Sequence, residues 1–246
     1  MPYWYYTKDK LKNSPSKKNG IPFDKECKMR YEACRYIFDL GSQLDVSTSS
    51  NATAIVYLHR FYMFHSLEKF DKHIVATSCL FLAGKVEETP KKCRDLLRVA
   101  KDLVSNEIWK AFGDNPREKV MTTERIILQT IKFDLQVEHP YKYLVKFAKA
   151  IVADKSKIEK IVEMAWTFIN DNFCTTLCIE CEPDIIAMAM LYLSCRLSKF
   201  TPDHIKNKSV SQHEKHEWWE LLVSDVSKST IEEICHNVLD IYQCDK

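Results

Sequence analysis

Glycine is scarce in this chain of 246 residues. Only Gly20, Gly41, Gly84 and Gly113 occur, and no two of them lie close together. Nucleotide-binding α/β folds need clustered glycines in their phosphate-binding loops, and sheet-rich folds usually need more turn residues. The shortage of glycine therefore predicts an all-α protein whose helices are joined by short polar loops, and it argues against a nucleotide cofactor.

Excess charge and long apolar runs are also missing. The formal net charge is +2, so a strongly basic nucleic-acid-binding face is not indicated. No apolar run of about 20 residues predicts a membrane span, and the first residues lack the pattern of a signal peptide. The 10 cysteines lie mostly among apolar helical residues, which is typical of buried free thiols in a reducing compartment. We expect a cytosolic or nuclear protein with neither a membrane nor a nucleic acid as a direct partner.

The hydrophobic periodicity of the first half predicts a short helix after Thr7, an irregular linker at 13–20 and five longer helices. Thr7 is the expected N-cap of the short helix. The third long helix is apolar on every face, which places it in the middle of a bundle. The five helices are predicted at about 24–44, 51–65, 73–87, 93–110 and 115–132.

The second half repeats this plan after His139-Pro140. Two capping boxes, Ser156 to Glu159 and Ser229 to Glu232, predict helix starts. A further helix is expected around Trp218 and Trp219. The helices of this half are predicted at about 141–152, 156–173, 183–198, around 218–219 and 229–242.

The central helices of the two halves align with each other. In the stretches 74–85 and 185–196, apolar residues pair with apolar residues, and both end in two small residues and a basic one. This indicates a duplicated five-helix module wrapped around its third helix, although buried helices can also resemble each other by composition alone. The predicted domains are an aromatic leader with a short helix at 1–23, a first repeat at 24–137 and a second repeat at 138–246.

Two motifs resemble a known family, the cyclins. Residues 82–88, Leu-Ala-Gly-Lys-Val-Glu-Glu, are similar to the element that ends the third helix of the cyclin box. Residues 124–135 are similar to its fifth helix and the exit from that helix. The stretches 4–7, 57–63, 86–93 and 131–141 resemble transcription cyclins of the T and K types, and the K type most. The resemblance covers essentially the whole chain and implies the cyclin fold, with two five-helix cyclin boxes and a short N-terminal helix.

The resemblance also implies a function. It predicts a non-catalytic subunit that forms a heterodimer with a transcriptional cyclin-dependent kinase and activates it in the nucleus, without a cofactor. The implied substrate of that kinase is the C-terminal tail of RNA polymerase II. The residues implied to bind the kinase are Leu82, Lys85, Val86, Glu124, Leu128, Phe133 and Leu135.

These residues also have simpler interpretations. Lys85 could complement the dipole at the end of its helix, and Glu124 could be a solvated surface carboxylate. Phe133 and Leu135 could belong to the core, to the partner contact or to both. The spacing of four residues does place Leu82 with Val86, and Glu124 with Leu128, on one helix face.

One position departs from the cell-cycle cyclins. They carry an acidic residue before the Arg-Phe of the second long helix, where this chain has His59. The ion pair that this acidic residue makes with the first long helix, where Arg30 lies, is therefore not expected. The aromatic leader is expected to pack on the kinase or on the first repeat, because Trp and Tyr gain from partial burial.

Other functions are disfavoured by the residues. Three cysteines and two downstream histidines suggest a zinc site, but the glycines and tight turns of a zinc knuckle are missing, so no metal is expected. A general transcription factor of the same double-repeat fold is the alternative function, and it would need a basic groove. A helical enzyme would need a paired catalytic motif. The residues of the zinc hypothesis are Cys174, Cys178, Cys181, His213 and His216.

Overall fold

The computed structural model describes residues 4–202, 205, 217–224 and 226–244. These residues form twelve α-helices and two 3₁₀ turns and contain no β-strand. They divide into two compact units. The first runs up to Val137 and also includes Phe173–Glu180, while the second comprises Glu138–Asn172 and the described residues from Cys181 onward. The contiguous domain boundaries given above remain a prediction.

The first unit is built around one buried helix. The helix α5 (Lys72–Val86) is apolar on all sides, which requires neighbours on all sides. It packs against α3 (Phe23–Gln43), α4 (Thr48–Phe61), α6 (Cys93–Leu103) and α8 (Pro116–Thr130). A 3₁₀ turn at Thr176–Ile179 packs against α4. The other helices are α1 (Lys8–Lys12), α2 (Pro15–Lys18) and α7 (Asn106–Lys110).

The predicted linker at 13–20 is partly helical. The buried Ser14 accepts a hydrogen bond from the backbone N–H of Lys17 and so caps α2, and Pro15 occupies the first helical position, where its missing N–H costs nothing. Thr7 does precede α1, but its side chain makes no capping hydrogen bond.

The predicted helix at 93–110 is two helices. Val104 is extended, and the Ser105 hydroxyl accepts from the backbone N–H of Ile108. This local hydrogen bond starts α7 as a new helix. The apolar spacing continues through the break between α6 and α7. Periodicity alone therefore predicts a single helix.

The second unit repeats the arrangement. The apolar helix α11 (Pro183–Leu197) packs against α9 (Pro140–Ala150), α10 (Lys155–Asn172) and α12 (Lys228–Cys244). The predicted helix around Trp218 is, within the part of the chain that the structure describes, a 3₁₀ turn at Trp218–Leu221.

The two helices that capping boxes were predicted to open each begin at an N-cap two residues earlier, and neither start is a capping box. The Asp154 carboxylate accepts from the backbone N–H of Lys157 and from the Ser156 hydroxyl, so Ser156 lies inside the first turn. Similarly, Ser227 rather than Ser229 accepts from the backbone N–H of Thr230. In each case a side-chain oxygen two residues earlier accepts the hydrogen bond from a backbone N–H of the first turn, which has no partner within the helix.

None of the helices in the described ranges combines the length and apolarity that a bilayer crossing demands.

A buried ion pair lies inside α3. Arg30 is 2% exposed, and its Nε and Nη2 donate to Glu26 Oε1 at 2.9 and 2.8 Å. Arg30 also donates to the backbone carbonyls of His59 and Tyr62 at 3.2 and 3.0 Å, and the Ser14 hydroxyl donates to Glu26. Since His59 offers no carboxylate, the partner of Arg30 comes from one turn earlier on its own helix.

His59 is fully buried and held in one tautomer. Its Nδ1 lies 3.4 Å from Arg30 Nη1, and a guanidinium can only donate, so Nδ1 accepts. Its Nε2 therefore carries the proton and donates to the carbonyl of Phe173 at 3.1 Å, with Cys34 Sγ 3.4 Å away. Burial and the charge of Arg30 lower the pKa of His59 to about 3.

This depressed pKa predicts a loss of stability in acid. Above pH 6.5 His59 is neutral in both states, whereas between 6.5 and 3 the unfolded chain binds a proton that the folded chain does not. We expect His59 to contribute a loss of about 1.4 kcal/mol per pH unit in that window. Urea unfolding of wild type and His59→Gln at pH 7.5 and 5.5 measures it, and equal pH dependence of the two proteins would contradict the assignment.

Candidate functional site

Lys85 and Glu124 form an ion pair at the edge of the first unit. Lys85 Nζ lies 2.7 and 2.9 Å from the two carboxylate oxygens of Glu124 and 4.0 Å from the ring centroid of Phe81. The Lys85 side chain is 45% exposed and that of Glu124 only 9%. The interpretation of Glu124 as a solvated carboxylate is therefore wrong, because Lys85 covers and neutralises it.

A tight turn at the end of α5 sets the position of Lys85. Thr89 N–H donates to the carbonyl of Gly84 at 2.8 Å, and Glu88 adopts a left-handed φ of 56°. A Cβ on Gly84 would lie 3.1 Å from the Thr89 carbonyl oxygen, so the close return of the chain favours glycine. Beside this turn Val86 is half-buried and Leu82 is buried in the core.

The exit of α8 presents an exposed aromatic side chain. Lys132 and Phe133 have left-handed φ angles of 55° and 58°, and Phe133 is 66% exposed. Leu128 and Leu135 are half-buried, and the carbonyl of Leu135 accepts from the Tyr57 hydroxyl at 2.6 Å. Phe133 is thus the most accessible of the predicted apolar site residues.

Two residues near the predicted site residues Lys85 and Glu124 were not predicted from the sequence. Met121 is exposed one turn before Glu124, and Phe81 lies one turn before Lys85, so helical spacing could have identified both. Met121 and Glu124 line a groove along α8 together with polar neighbours. Those neighbours are Asn115, Arg117, Glu118 and Arg125.

The aromatic leader packs on the first unit, which confirms one of its two predicted positions. The buried Trp4 donates from Nε1 to Asp134 Oδ2 at 2.8 Å, and the Arg60 guanidinium stands 4.7 Å from its ring centroid. Tyr6 N–H donates to the carbonyl of Ile179 at 2.8 Å.

Within the described residues, the cysteines of the zinc hypothesis are not gathered into a metal-binding cluster. Across 4–202 and the later described stretches, no group of three or more His, Cys, Asp or Glu side chains is placed to hold a metal ion. Burial raises the pKa of the Cys178 thiol to about 12. His213 and His216 lie outside the described residues.

The arrangement suits recognition of a peptide segment. The exposed ammonium group of Lys85 is held in place by the nearly buried carboxylate of Glu124, and the apolar side chains of Met121 and Phe133 are exposed. Such a surface can receive apolar side chains in its groove and main-chain carbonyls on the ammonium group.

Comparison with known proteins identifies the family. The family model described as "Cyclin, N-terminal domain" matches residues 2–136. Human Cyclin-K is 49% identical over 98% of this chain and 41% of its own length, and Cyclin-T1-3 of Oryza sativa is 34% identical over 98% of this chain and 48% of its own. The chain thus spans about half the length of the curated relatives it matches. The yeast RNA Pol II CTD kinase CTDK-1 complex contains a chain of the same fold, with a TM-score of 0.71 at 22% identity over 97% of this chain and 72% of that one. The all-α protein described here belongs to the cyclin family.

Proposed function

We propose that this cyclin is the non-catalytic regulatory subunit of a transcriptional cyclin-dependent kinase. It forms a heterodimer with the kinase and promotes phosphorylation of the C-terminal tail of RNA polymerase II in the nucleus. The observation that carries the proposal is the exposed ammonium group of Lys85, which Glu124 holds in place, together with the exposed side chain of Phe133 at the exit of α8. The similarity of the chain to Cyclin-K, and to the fold found in a polymerase-tail kinase complex, supports a cyclin-dependent kinase as the class of partner.

Activation follows from differential contact with two kinase states. Catalysis needs an ion pair between a lysine and a glutamate within the kinase, and a mobile helix of the kinase supplies the glutamate. A cyclin that binds this helix only in its inward position shifts the population to the active state. No catalytic group of the cyclin is required.

The two charged residues have different roles in this proposal. An ammonium group has three donors, and the carboxylate of Glu124 occupies at most two of those of Lys85, so at least one remains for a kinase carbonyl. Glu124, which is nearly buried, fixes the direction of Lys85. The apolar surface is formed by Leu82, Val86, Leu128, Phe133 and Leu135. Leu82 contributes least accessible area to it because its side chain is buried.

The alternative, a general transcription factor that binds DNA and polymerase, gains no support from the matches described above. The described surface also offers no feature that favours it over the kinase.

Phe133→Ala and Lys85→Ala are expected to weaken kinase binding about 30-fold each, the usual cost of truncating an interface hot spot. Phe133→Ala should leave the melting temperature unchanged because the ring is exposed. Lys85→Ala should lower it slightly, because Glu124 loses its partner. Calorimetry with each transcriptional kinase measures the affinity, and kinase activity on polymerase-tail peptides measures activation.

Leu197→Ala is the matched control. Leu197 is an exposed apolar residue of the second unit, 55% accessible, and its loss should not change the affinity. Unchanged affinity of both site variants would show that the kinase binds elsewhere. Unchanged kinase activity on adding the wild-type cyclin would refute the proposed function itself.

A further inference from the structure

The exit of α8 is a strained turn. Two consecutive non-glycine residues, Lys132 and Phe133, adopt the left-handed conformation, which L-residues avoid. Such a backbone persists only where surrounding contacts hold it. Because this turn carries Phe133, whatever holds it also decides where that side chain points.

Contacts from within the helix are local. Phe133 N–H donates to the carbonyl of Leu128 at 3.0 Å, and Asp134 N–H to that of Ile131 at 3.0 Å. These bonds close the turn against α8. The residues that follow Phe133 are held by other parts of the chain.

Three long-range hydrogen bonds hold the residues that follow the turn, and one of them runs from Arg60 Nη1 to the carbonyl of Asp134 at 3.5 Å. The Tyr57 hydroxyl donates to the carbonyl of Leu135, and Trp4 Nε1 donates to the carboxylate of Asp134, 130 residues away in sequence. Tyr57 belongs to the buried centre of the first unit, whereas Trp4 comes from the leader. The bond from Trp4 reaches the side chain of the residue directly after Phe133.

Trp4 is itself well anchored. Its ring lies under the Arg60 guanidinium and meets the ring of Phe64 edge-on, with centroids 6.2 Å apart. The indole is buried. It therefore provides a fixed donor and offers little surface of its own to a partner.

We propose that Trp4 is a positioning residue for the kinase-binding surface. Its hydrogen bond to Asp134 holds the left-handed turn at 132–133 in the conformation that presents Phe133 to the kinase. This inference rests on the proposed function. It gives the leader a role in kinase binding without direct contact to the kinase.

Trp4→Phe in the full chain tests this role, because it keeps an aromatic ring against Arg60 and Phe64 and removes the N–H donor. We expect about tenfold weaker kinase binding, the loss typical of one hydrogen bond to a charged group. The amides of Phe133 and Asp134 should exchange hydrogen faster in the free cyclin. Trp109→Phe, which makes the same change where the ring stacks on Phe112, should alter neither readout.

The double variant separates positioning from contact. If Trp4 acts through Phe133, Trp4→Phe added to Phe133→Ala should cost no further affinity. Fully additive losses would overturn the positioning role, and so would unchanged affinity and exchange in Trp4→Phe while Phe133→Ala binds weakly. Unchanged affinity of Phe133→Ala would instead refute the proposed binding surface, and this inference with it.

Discussion

Replacing Glu26 with alanine is expected to destabilise the first unit by about 3–5 kcal/mol, the usual cost of removing one partner of a buried ion pair. Both Glu26 and Arg30 are 2% exposed, so the variant would leave a guanidinium buried without a carboxylate. The loss would also free the Ser14 hydroxyl, which donates to Glu26. Urea unfolding at pH 7.5 measures the change.

Glu32→Ala on the same helix is the matched control. Glu32 pairs with Lys72, but its side chain is 42% exposed, and removal of such a surface pair should cost less than about 1 kcal/mol. Equal losses of unfolding free energy in the two variants would show that the buried pair of Glu26 and Arg30 stabilises the protein no more than the exposed pair does. Replacing both Glu26 and Arg30 with methionine should recover much of the stability, since no charge then remains buried.

Gly41→Ala is expected to cost about 3 kcal/mol, at the upper end of the range for overpacking. A Cβ at this position would lie 1.9 Å from Oδ1 of Asn51 and 2.7 Å from its Cγ. Asn51 cannot simply turn aside, because every residue of α4 from Ser50 to Phe61 is buried. The two helices approach this closely only because residue 41 has no side chain.

Thermal melts and urea unfolding test this close contact. Ser42→Ala, an exposed substitution on the adjacent residue of the same helix, should leave stability unchanged or slightly raised. Asn51→Ala combined with Gly41→Ala should recover most of the loss. If Gly41→Ala melts like wild type, α3 and α4 do not approach each other as described.

The centre of each unit could be predicted from the sequence. The stretches that became α5 and α11 are apolar on every face, and only a surrounded helix stabilises such a pattern. Helix ends were less predictable. At Ser105, Asp154 and Ser227 a single side-chain oxygen decides where a helix begins, and several oxygens compete for that role in the sequence.

The side-chain contacts between helices could not be predicted from the sequence. Family motifs place Lys85 and Glu124 in one site, but their bond to each other follows from the packing of α5 on α8. The spacing of Glu26 and Arg30 is visible in the sequence, whereas their burial depends on the main-chain groups of α4 and its end. Which residues bind the kinase remains a prediction until the variants are measured.

The segment Phe173–Glu180 makes the first unit discontinuous in sequence, and this has a consequence during synthesis. Leu177 and Ile179 fill part of its core, and the carbonyl of Phe173 accepts a hydrogen bond from Nε2 of the buried His59. On the ribosome, these groups emerge only after the whole of α9 and α10, which at usual elongation rates of about 5–20 residues per second is a delay of seconds. Until then the nascent first unit lacks two of its buried apolar side chains, and the surface of α4 on which they pack stays exposed to water.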